Sequence, residues 1–586
     1  MQPTRPSPIA RLLPFTGWLL RYNKANLPGD LTAGIVVTIM LIPQSLAYAM
    51  LAGMPVHYGL FASILPLFIY GLLGTSRTLS VGPVAVISLL TAAAVTPLAE
   101  PGSARYIELV LLLALMTGVL QLVMGLLRAG FIANFLSHPV VAGFITGSSI
   151  LIVLSQLKHV LGVSATEGHY PWQGVYSLVQ AAPGLNWATL IMGVAAIILL
   201  LLSRKPLQQL LLKVGLGKTA AQTLARLGPA ILVIAGIGLT VGLGLDTRFG
   251  VRVVGEFPGG LPPLSLPELE FETLRALAPA ALTIVLAGYV ESVSVGRSLG
   301  ARRRQTIDPN QELVALGAAN VAAGLTSGLP VTGGFSRSAV NFDAGAQTGL
   351  ASMLTAVLIG VVTLVATGLF AKLPTVLLAA TVIVAVAGLV NFRELRQLWR
   401  YAPGDSIVMA LTIAAVLGLG VELGIAFGVG ASLLAYMARA GRPHIAVVGR
   451  VGETEHFRNV LRHKVQTYPG MLLARPDESL FFANIRNLED RFMELAFAQP
   501  DLKHLVLICS AINGIDSSGL EGLENLIRRL RDNGITLHCA EIKGPVMDRL
   551  KQADFEKHLA PGRIFLSTHE AVEALAPPAL AVNPAP

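Results

Sequence analysis

Residues 329–341 read LPVTGGFSRSAVN, and their setting decides the fold. Long apolar segments flank them on both sides, which puts the stretch at membrane depth. It nevertheless carries a proline, a glycine pair, hydroxyls and Arg337. Polar, non-helical backbone is tolerated at that depth only where it is buried in protein or lines a wet cavity. An arginine there points to a functional site. The pattern predicts a broken helix: an extended lead-in, a break at Gly333-Gly334, and a half-helix from about Phe335. A helix start inside the membrane offers free N–H groups and the positive end of a dipole, both of which favour a bound anion. The expectation is an anion transporter.

Composition sets the frame. Charged residues make up 13% of the 586, against about 25% in soluble domains, and mean hydropathy is +0.66. Apolar runs of bilayer length recur from Leu31 to Met437. Beyond Pro443 charges become dense and apolar runs shrink to strand length. The expected division is an N-terminal cytoplasmic segment at 1–26, a membrane domain at 27–440, a soluble domain at 443–578 and a tail at 579–586. The net charge of +9 is spread over short loops, as topology requires, so no nucleic-acid partner is expected. Cys509 and Cys539 suggest neither a disulfide framework nor a metal site. The N-terminus lacks an apolar region with a small-residue cleavage site, so the first span is expected to act as an uncleaved anchor.

Fourteen membrane elements are predicted, at about 31–50, 56–73, 83–97, 107–127, 132–157, 185–203, 227–244, 277–297, 310–327, 335–345, 348–368, 374–390, 405–420 and 421–438. Arg5, Arg11, Arg21, Lys24, Arg77, Arg128, the Arg204/Lys205/Lys213/Lys218 loop, Arg302-Arg303-Arg304 and Arg393/Arg396/Arg400 then share one side. The opposite loops carry Glu100, Glu167, Glu256, Glu268, Glu270 and Glu272. Both termini are therefore expected in the cytoplasm of a multi-pass inner-membrane protein. Twelve spans fit the charges as well.

A second interrupted segment, LSVGPVAVISLL (79–90), places Gly82-Pro83 among apolar residues. Proline favours the first helical position, so a second half-helix is expected from Pro83. The two breaks fall in elements 3 and 10, seven apart, which implies a 7+7 inverted repeat in a mainly α polytopic protein. Interrupted segments in matching places of two halves point to a transporter's midplane site. The plainer alternative is a pair of kinks in ordinary helices, since glycine and proline are common in membrane helices.

Gln44 and Tyr48 lie one turn apart on the first span, beside Pro43, which is expected to break that helix. Glu291 lies in element 8, the counterpart of element 1. A carboxylate in a low-dielectric cavity favours its neutral form unless a cation pairs with it, so Glu291 is a candidate proton carrier. A static ion pair with Arg337 or Arg297, or a sodium site, is the alternative. Ser336 and Ser338 are candidate donors to an oxyanion, or else helix-packing residues. Solvated or capping roles are expected for Asp343 and Glu422. His57, His138 and His159 have no metal-ligand spacing. No Walker-type loop, HExxH or suitably placed GxSxG suggests an enzyme.

LPGDLTAGIVVTIMLIPQSLAYAMLAGMPVHYGLFAS (27–63), GTSRTLSVGPVAVISLL (74–90), LSHPVVAGFITGSSI (136–150), ESVSVGRS (291–298) and TSGLPVTGGFSRSAVNFDAGAQT (326–348) resemble the SulP sulfate-permease and solute-carrier anion-exchanger superfamily. The resemblance implies a homodimer in which a core domain moves against a gate domain. It implies an anion pocket lined by Gln44, Tyr48, Val84, Ala85, Phe335, Ser336 and Arg337. Glu291 matches the acidic residue of proton-coupled members. No cofactor is implied beyond the coupling ion, H+ or Na+.

In the soluble domain SLFFANI, HLVLICSA and ITLHCAEI read as strands, and about Ser518–Asp532 as an amphipathic helix, which argues an α/β sandwich. INGIDSSGLEGL (512–523) resembles the STAS domain, whose bacterial antagonist members are phosphorylated at a serine corresponding to Ser517 or Ser518. In a transporter, capping of the helix by Asp516 is the simpler role. Cytoplasmic regulatory partners would dock through this domain. The combined expectation is proton-coupled sulfate uptake by alternating access. The alternatives are sodium-coupled bicarbonate or dicarboxylate transport, an anion channel or exchanger, or a membrane-anchored STAS signalling protein.

Overall fold

The computed structural model describes residues 13–20, 22–135, 137–165, 171–203, 205–215, 217, 228–256, 259–365 and 367–576. Arg5, Arg11, Arg21, Glu167, Arg204, Lys218 and the tail 579–586 lie outside the described residues. The chain forms two compact units, Met1–Ser432 and Leu433–Pro586.

The first unit is helical. Among the described residues six helices are long and apolar enough to cross a membrane, and six shorter apolar ones accompany them. In chain order come α1 (Leu27–Leu51), α2 (Leu65–Leu73), α3 (Ala85–Val95), α4 (Ala104–Leu126), α5 (His138–Leu161), α6 (Trp187–Ser203) and α7 (Gly228–Leu243). After them come α8 (Phe271–Arg302), α9 (Pro309–Leu325), α10 (Phe335–Asp343), α11 (Leu350–Val365), α12 (Thr375–Ala387), α13 (Pro403–Leu419) and α14 (Val421–Ala440). Local chemistry sets the ends. The Asp308 side chain accepts from the amides of Asn310 and Gln311 ahead of Pro309, starting α9. Gly162, at φ 69°, ends α5.

Two expectations need correcting. Pro43 does not break α1, which runs through it. Proline removes one hydrogen bond, and surrounding helices hold the turn together. The predicted second element is split into His57–Phe61 and Leu65–Leu73, with Pro66 in the first turn of the second piece.

The helices pack in two sets. In one, α9 packs on α4 and α2, α11 on α1 and α2, and α8 on α4. In the other, α5 packs on α12 and α13, and α6 on α12 and α5. The α4–α9 contact is backbone against backbone. A Cβ on Gly118 would lie 2.4 Å from the Val321 amide nitrogen, and one on Gly317 2.7 Å from that of Leu122. Small residues permit this approach where lipid supplies no hydrophobic drive between helices.

The second unit is a six-stranded mixed sheet. Its strands are β3 (Ile445–Arg450), β4 (Phe457–Asn459), β5 (Met471–Pro476), β6 (His504–Ile508), β7 (Thr536–Ala540) and β8 (Ile564–Phe565), in the order β4-β3-β5-β6-β7-β8. β5 to β8 run parallel and β3 and β4 antiparallel. Leu505 and Leu507 enter one core while Val506 and Ile508 enter the other. A strand buried on both faces reads as a continuous apolar run. Ser517–Asp532 forms the expected amphipathic helix, burying Leu523, Leu526, Ile527 and Leu530. SLFFANI is not a strand. The Asn484 side chain accepts from the Phe481 amide (3.0 Å) and donates to the Ser479 carbonyl (2.7 Å), folding the segment into a turn.

His538 on β7 is buried. Its Nδ1 accepts from the Arg563 amide (3.1 Å), so the ring proton sits on Nε2, 3.1 Å from Nδ1 of His504. Burial, then the neighbouring His504 and Arg563, push His538 from 6.5 down to about 4. It stays neutral in the fold, whereas the unfolded chain is protonated below 6.5. Its support is complete above that value and fades as pH falls towards about 4, a loss of up to about 3 kcal/mol. Protection factors of the β7 amides, corrected for the intrinsic pH dependence of exchange, should therefore fall as pH falls across this window. Protection independent of pH there would contradict the assignment.

Candidate functional site

The two interrupted segments meet. β1 (Val81–Gly82) precedes α3, β2 (Thr332–Gly333) precedes α10, and the two strands pair antiparallel, Val81 with Gly333 and Gly82 with Thr332. The crossing places the amino ends of the two half-helices side by side. Helix α10 starts at Phe335, as expected. Helix α3 starts at Ala85 and not at Pro83, because Val84 is still extended (φ −133°, ψ 143°) and the Pro83 carbonyl accepts a hydrogen bond from Arg337. Neither start has a side-chain cap. The first amides of both helices, which have no intrahelical acceptor, are thus not taken up by a capping side chain either.

Arg337 is 2% exposed. Its Nη1 donates to the Pro83 carbonyl (2.6 Å) and Nη2 to that of Thr332 (3.4 Å), while the buried Nε has no partner among the described residues. The guanidinium is wedged between two glycines. A Cβ on Gly82 or Gly334 would come within 3.1 Å of it. Arg337 thus holds both lead-in strands and adds a full charge to two helix dipoles. Hydroxyls complete the crossing. Ser338 Oγ accepts from the Ser80 amide (3.0 Å) and donates to the Gly334 carbonyl (2.7 Å). Ser292 Oγ accepts from the Gly333 amide (2.9 Å) and donates to Thr332 Oγ1 (2.8 Å), which donates to the Gly288 carbonyl (2.6 Å).

The far ends are pinned by charge. Arg303 donates to the carbonyls of Phe342 (2.9 Å) and Ala346 at the carboxyl end of α10. Buried Asp30 accepts from the amides of Gln347 (2.6 Å) and Thr348 (3.0 Å) just beyond it. Buried Glu312 accepts from Thr75 and Ser76 amides (2.8 and 3.2 Å) on the approach to β1.

The structure brings several predicted residues together. Gln44 and Tyr48 are buried on α1, Ala85 is buried and Val84 partly exposed at the start of α3, and Phe335 and Ser336 are exposed at the start of α10. Tyr48, Glu291 and Arg337 lie within electrostatic reach of one another. Glu291, partly exposed on α8, makes no hydrogen bond or ion pair among the described residues. Asp343 ends α10, and Glu422 sits in the first turn of α14. Ser517 and Ser518 open their helix, where the Asp516 side chain accepts from the Gly519 amide (2.7 Å). A cavity of about 360 Å³ flanks the carboxyl half of α3, lined in part by Leu89, Leu151 and Glu422, and holds none of the predicted pocket residues.

Sequence reasoning missed Asp30, Glu312, Ser292 and Ser88, whose buried hydroxyl has no partner among the described residues, and it read Gly82 and Gly334 as breaks without their place against Arg337. A buried acid near a membrane-helix start was the available signal for Asp30 and Glu312. The others depend on which backbones cross.

The site and fold are those of a multi-pass membrane transporter rather than an enzyme. Residues 27–412 match the sulfate permease family and residues 462–571 the STAS domain. The chain is 36% identical over 558 residues to "Probable sulfate transporter 4.2" of Arabidopsis thaliana, covering 93% of this chain and 80% of that protein. It is 34% identical over 555 residues to a probable sulfate transporter of Mycobacterium tuberculosis, covering 94% and 96%. Its fold is similar to that of SLC26A9, with a TM-score of 0.87 at 22% identity over 97% of this chain and 93% of the other. The transmembrane domain of the cyanobacterial bicarbonate transporter BicA gives a TM-score of 0.59 at 22% identity, over 70% and 98%. The chain belongs to the sulfate permease family of anion transporters and carries a STAS domain.

Proposed function

We propose that this protein takes up sulfate together with protons by alternating access. The observation that carries the reading is the pair of uncapped half-helix starts joined across β1 and β2, with Arg337 locked between them. An oxyanion in front of Ala85 and Phe335 would accept from free amides of both helices, within the field of two dipoles and one guanidinium. Gln44 and Tyr48 would close the pocket from α1, with Val84 and Ser336 at its rim. Sulfate is preferred over bicarbonate because relatives above 30% identity are named sulfate transporters. Protonating Glu291 would remove a like charge near a dianion, so proton and sulfate would bind cooperatively.

The fourteen helices would form two inverted sets of seven. The α1–α4 and α8–α11 set would carry the site past the α5–α7 and α12–α14 set, in a homodimer with both termini cytoplasmic. At Ser517 and Ser518 the favoured role is the helix start capped by Asp516; a regulatory phosphate there, gaining from the helix dipole, is the alternative. Purified protein in liposomes, given labelled sulfate, bicarbonate or dicarboxylate under imposed pH and sodium gradients, tests the reading. Sulfate accumulation driven by the pH gradient is the expected result. Conductance without accumulation, or sodium-driven bicarbonate uptake, would replace it.

A further inference from the structure

The helix Phe392–Tyr401 (FRELRQLWRY) lies between α12 and α13 and has no fully buried residue. One side is fixed to the protein. The Ser406 hydroxyl donates to the Leu395 carbonyl (3.0 Å). A carboxylate oxygen of Glu394, the helix's sole acidic residue, lies 3.1 Å from His138 Nδ1 at the start of α5. Leu395 and Leu398 are the less exposed apolar residues. The rest is open. Phe392 and Trp399, seven apart, are 54% and 62% exposed, and Tyr401 is 90% exposed. Beside them Arg393, Arg396 and Arg400 form an i, i+3, i+7 stripe. None of the three makes a hydrogen bond or ion pair among the described residues. A stripe of free arginines next to an aromatic strip, on a short helix joining two membrane helices, has the composition of an element lying in the bilayer interface.

We propose that Phe392–Tyr401 is a docking site for acidic phospholipid, with Phe392 and Trp399 seated at the acyl boundary and Arg393, Arg396 and Arg400 bound to headgroup phosphates. Charge complementarity selects this occupant: the outward stripe carries three cations and no anion, and acidic leaflets attract juxtamembrane arginines. The phosphate accepts two parallel N–H bonds from a guanidinium. Because the helix is fixed to α5 and α13, bound lipid would tether the helix set that lacks Arg337. The proposal does not depend on which anion is carried.

The test uses full-length protein with Trp399 as its sole tryptophan (Trp18→Phe, Trp172→Phe, Trp187→Phe). It is reconstituted into phosphatidylcholine vesicles containing spin-labelled phosphatidylglycerol or spin-labelled phosphatidylcholine. Trp399 fluorescence should be quenched preferentially by the acidic lipid, each arginine contributing a factor of about five at low salt. High salt should erase the preference, as should R393Q/R396Q/R400Q, with quenching by phosphatidylcholine unchanged. Equal quenching by both lipids overturns the proposal. So does quenching by neither, which would mean that protein covers the helix. Displacement by free glycerol phosphate overturns it too, by making the site one for soluble anions.

Discussion

Arg337→Ala is expected to weaken sulfate binding roughly 100-fold, about 2.7 kcal/mol, with the protein still folded. The guanidinium bonds both lead-in segments, through the carbonyls of Pro83 and Thr332, beside the Ser338 hydroxyl that bridges Ser80 and Gly334. Removing it leaves those carbonyls unpaired in a buried site, and the adjoining glycines face a void. The anion loses a full positive charge and the fixed placement of two helix starts. Arg337→Lys restores the charge without the two-pronged grip, so it should recover part of the affinity. Binding of labelled sulfate to purified protein, read beside the melting temperature, separates site loss from unfolding. A folded Arg337→Ala variant with unchanged affinity removes Arg337 from the site.

Glu291→Gln is expected to abolish pH-driven accumulation while sulfate binding survives and becomes insensitive to pH. The carboxylate has no partner among the described residues, yet lies within electrostatic reach of Arg337 and Tyr48. It is thus placed to feel the anion and free to gain or lose a proton. Glutamine resembles the protonated form and cannot cycle. With one coupled proton, each pH unit of gradient supports up to about tenfold accumulation, which the variant should lose entirely. Uptake in liposomes under an imposed pH gradient decides the matter. Accumulation by Glu291→Gln against the sulfate gradient would end the coupling role.

The site's outline was legible because membranes punish irregular backbone. Gly82-Pro83 and Gly333-Gly334 stood out among apolar residues, and the start of α10 at Phe335 followed from the glycine pair. Pro83 misled by two residues. Its own geometry suits a helix start, but Arg337 claims its carbonyl, and Val84 stays extended to keep that carbonyl in reach. Pro43 misled in the other direction. A proline inside a helix is disruptive only where nothing else supports the turn, and α1 is packed on several sides. SLFFANI has strand composition, yet the side-chain bonds of Asn484 turn it back on itself.

Periodicity and hydropathy determined that this chain enters a membrane many times, that two of its segments are broken there, and that an α/β domain follows. Those properties are local, since a run of side chains decides its own solvent. Tertiary structure alone decided that Gly82 pairs with Thr332, that Arg337 spends its hydrogen bonds on backbone carbonyls, and that Asp30, Arg303 and Glu312 secure the flanking segments. These contacts join residues more than two hundred positions apart, save for those of Arg303 and the bond from Arg337 to Thr332. Which distant amides and carbonyls meet is set by how the helices pack, which no local pattern encodes.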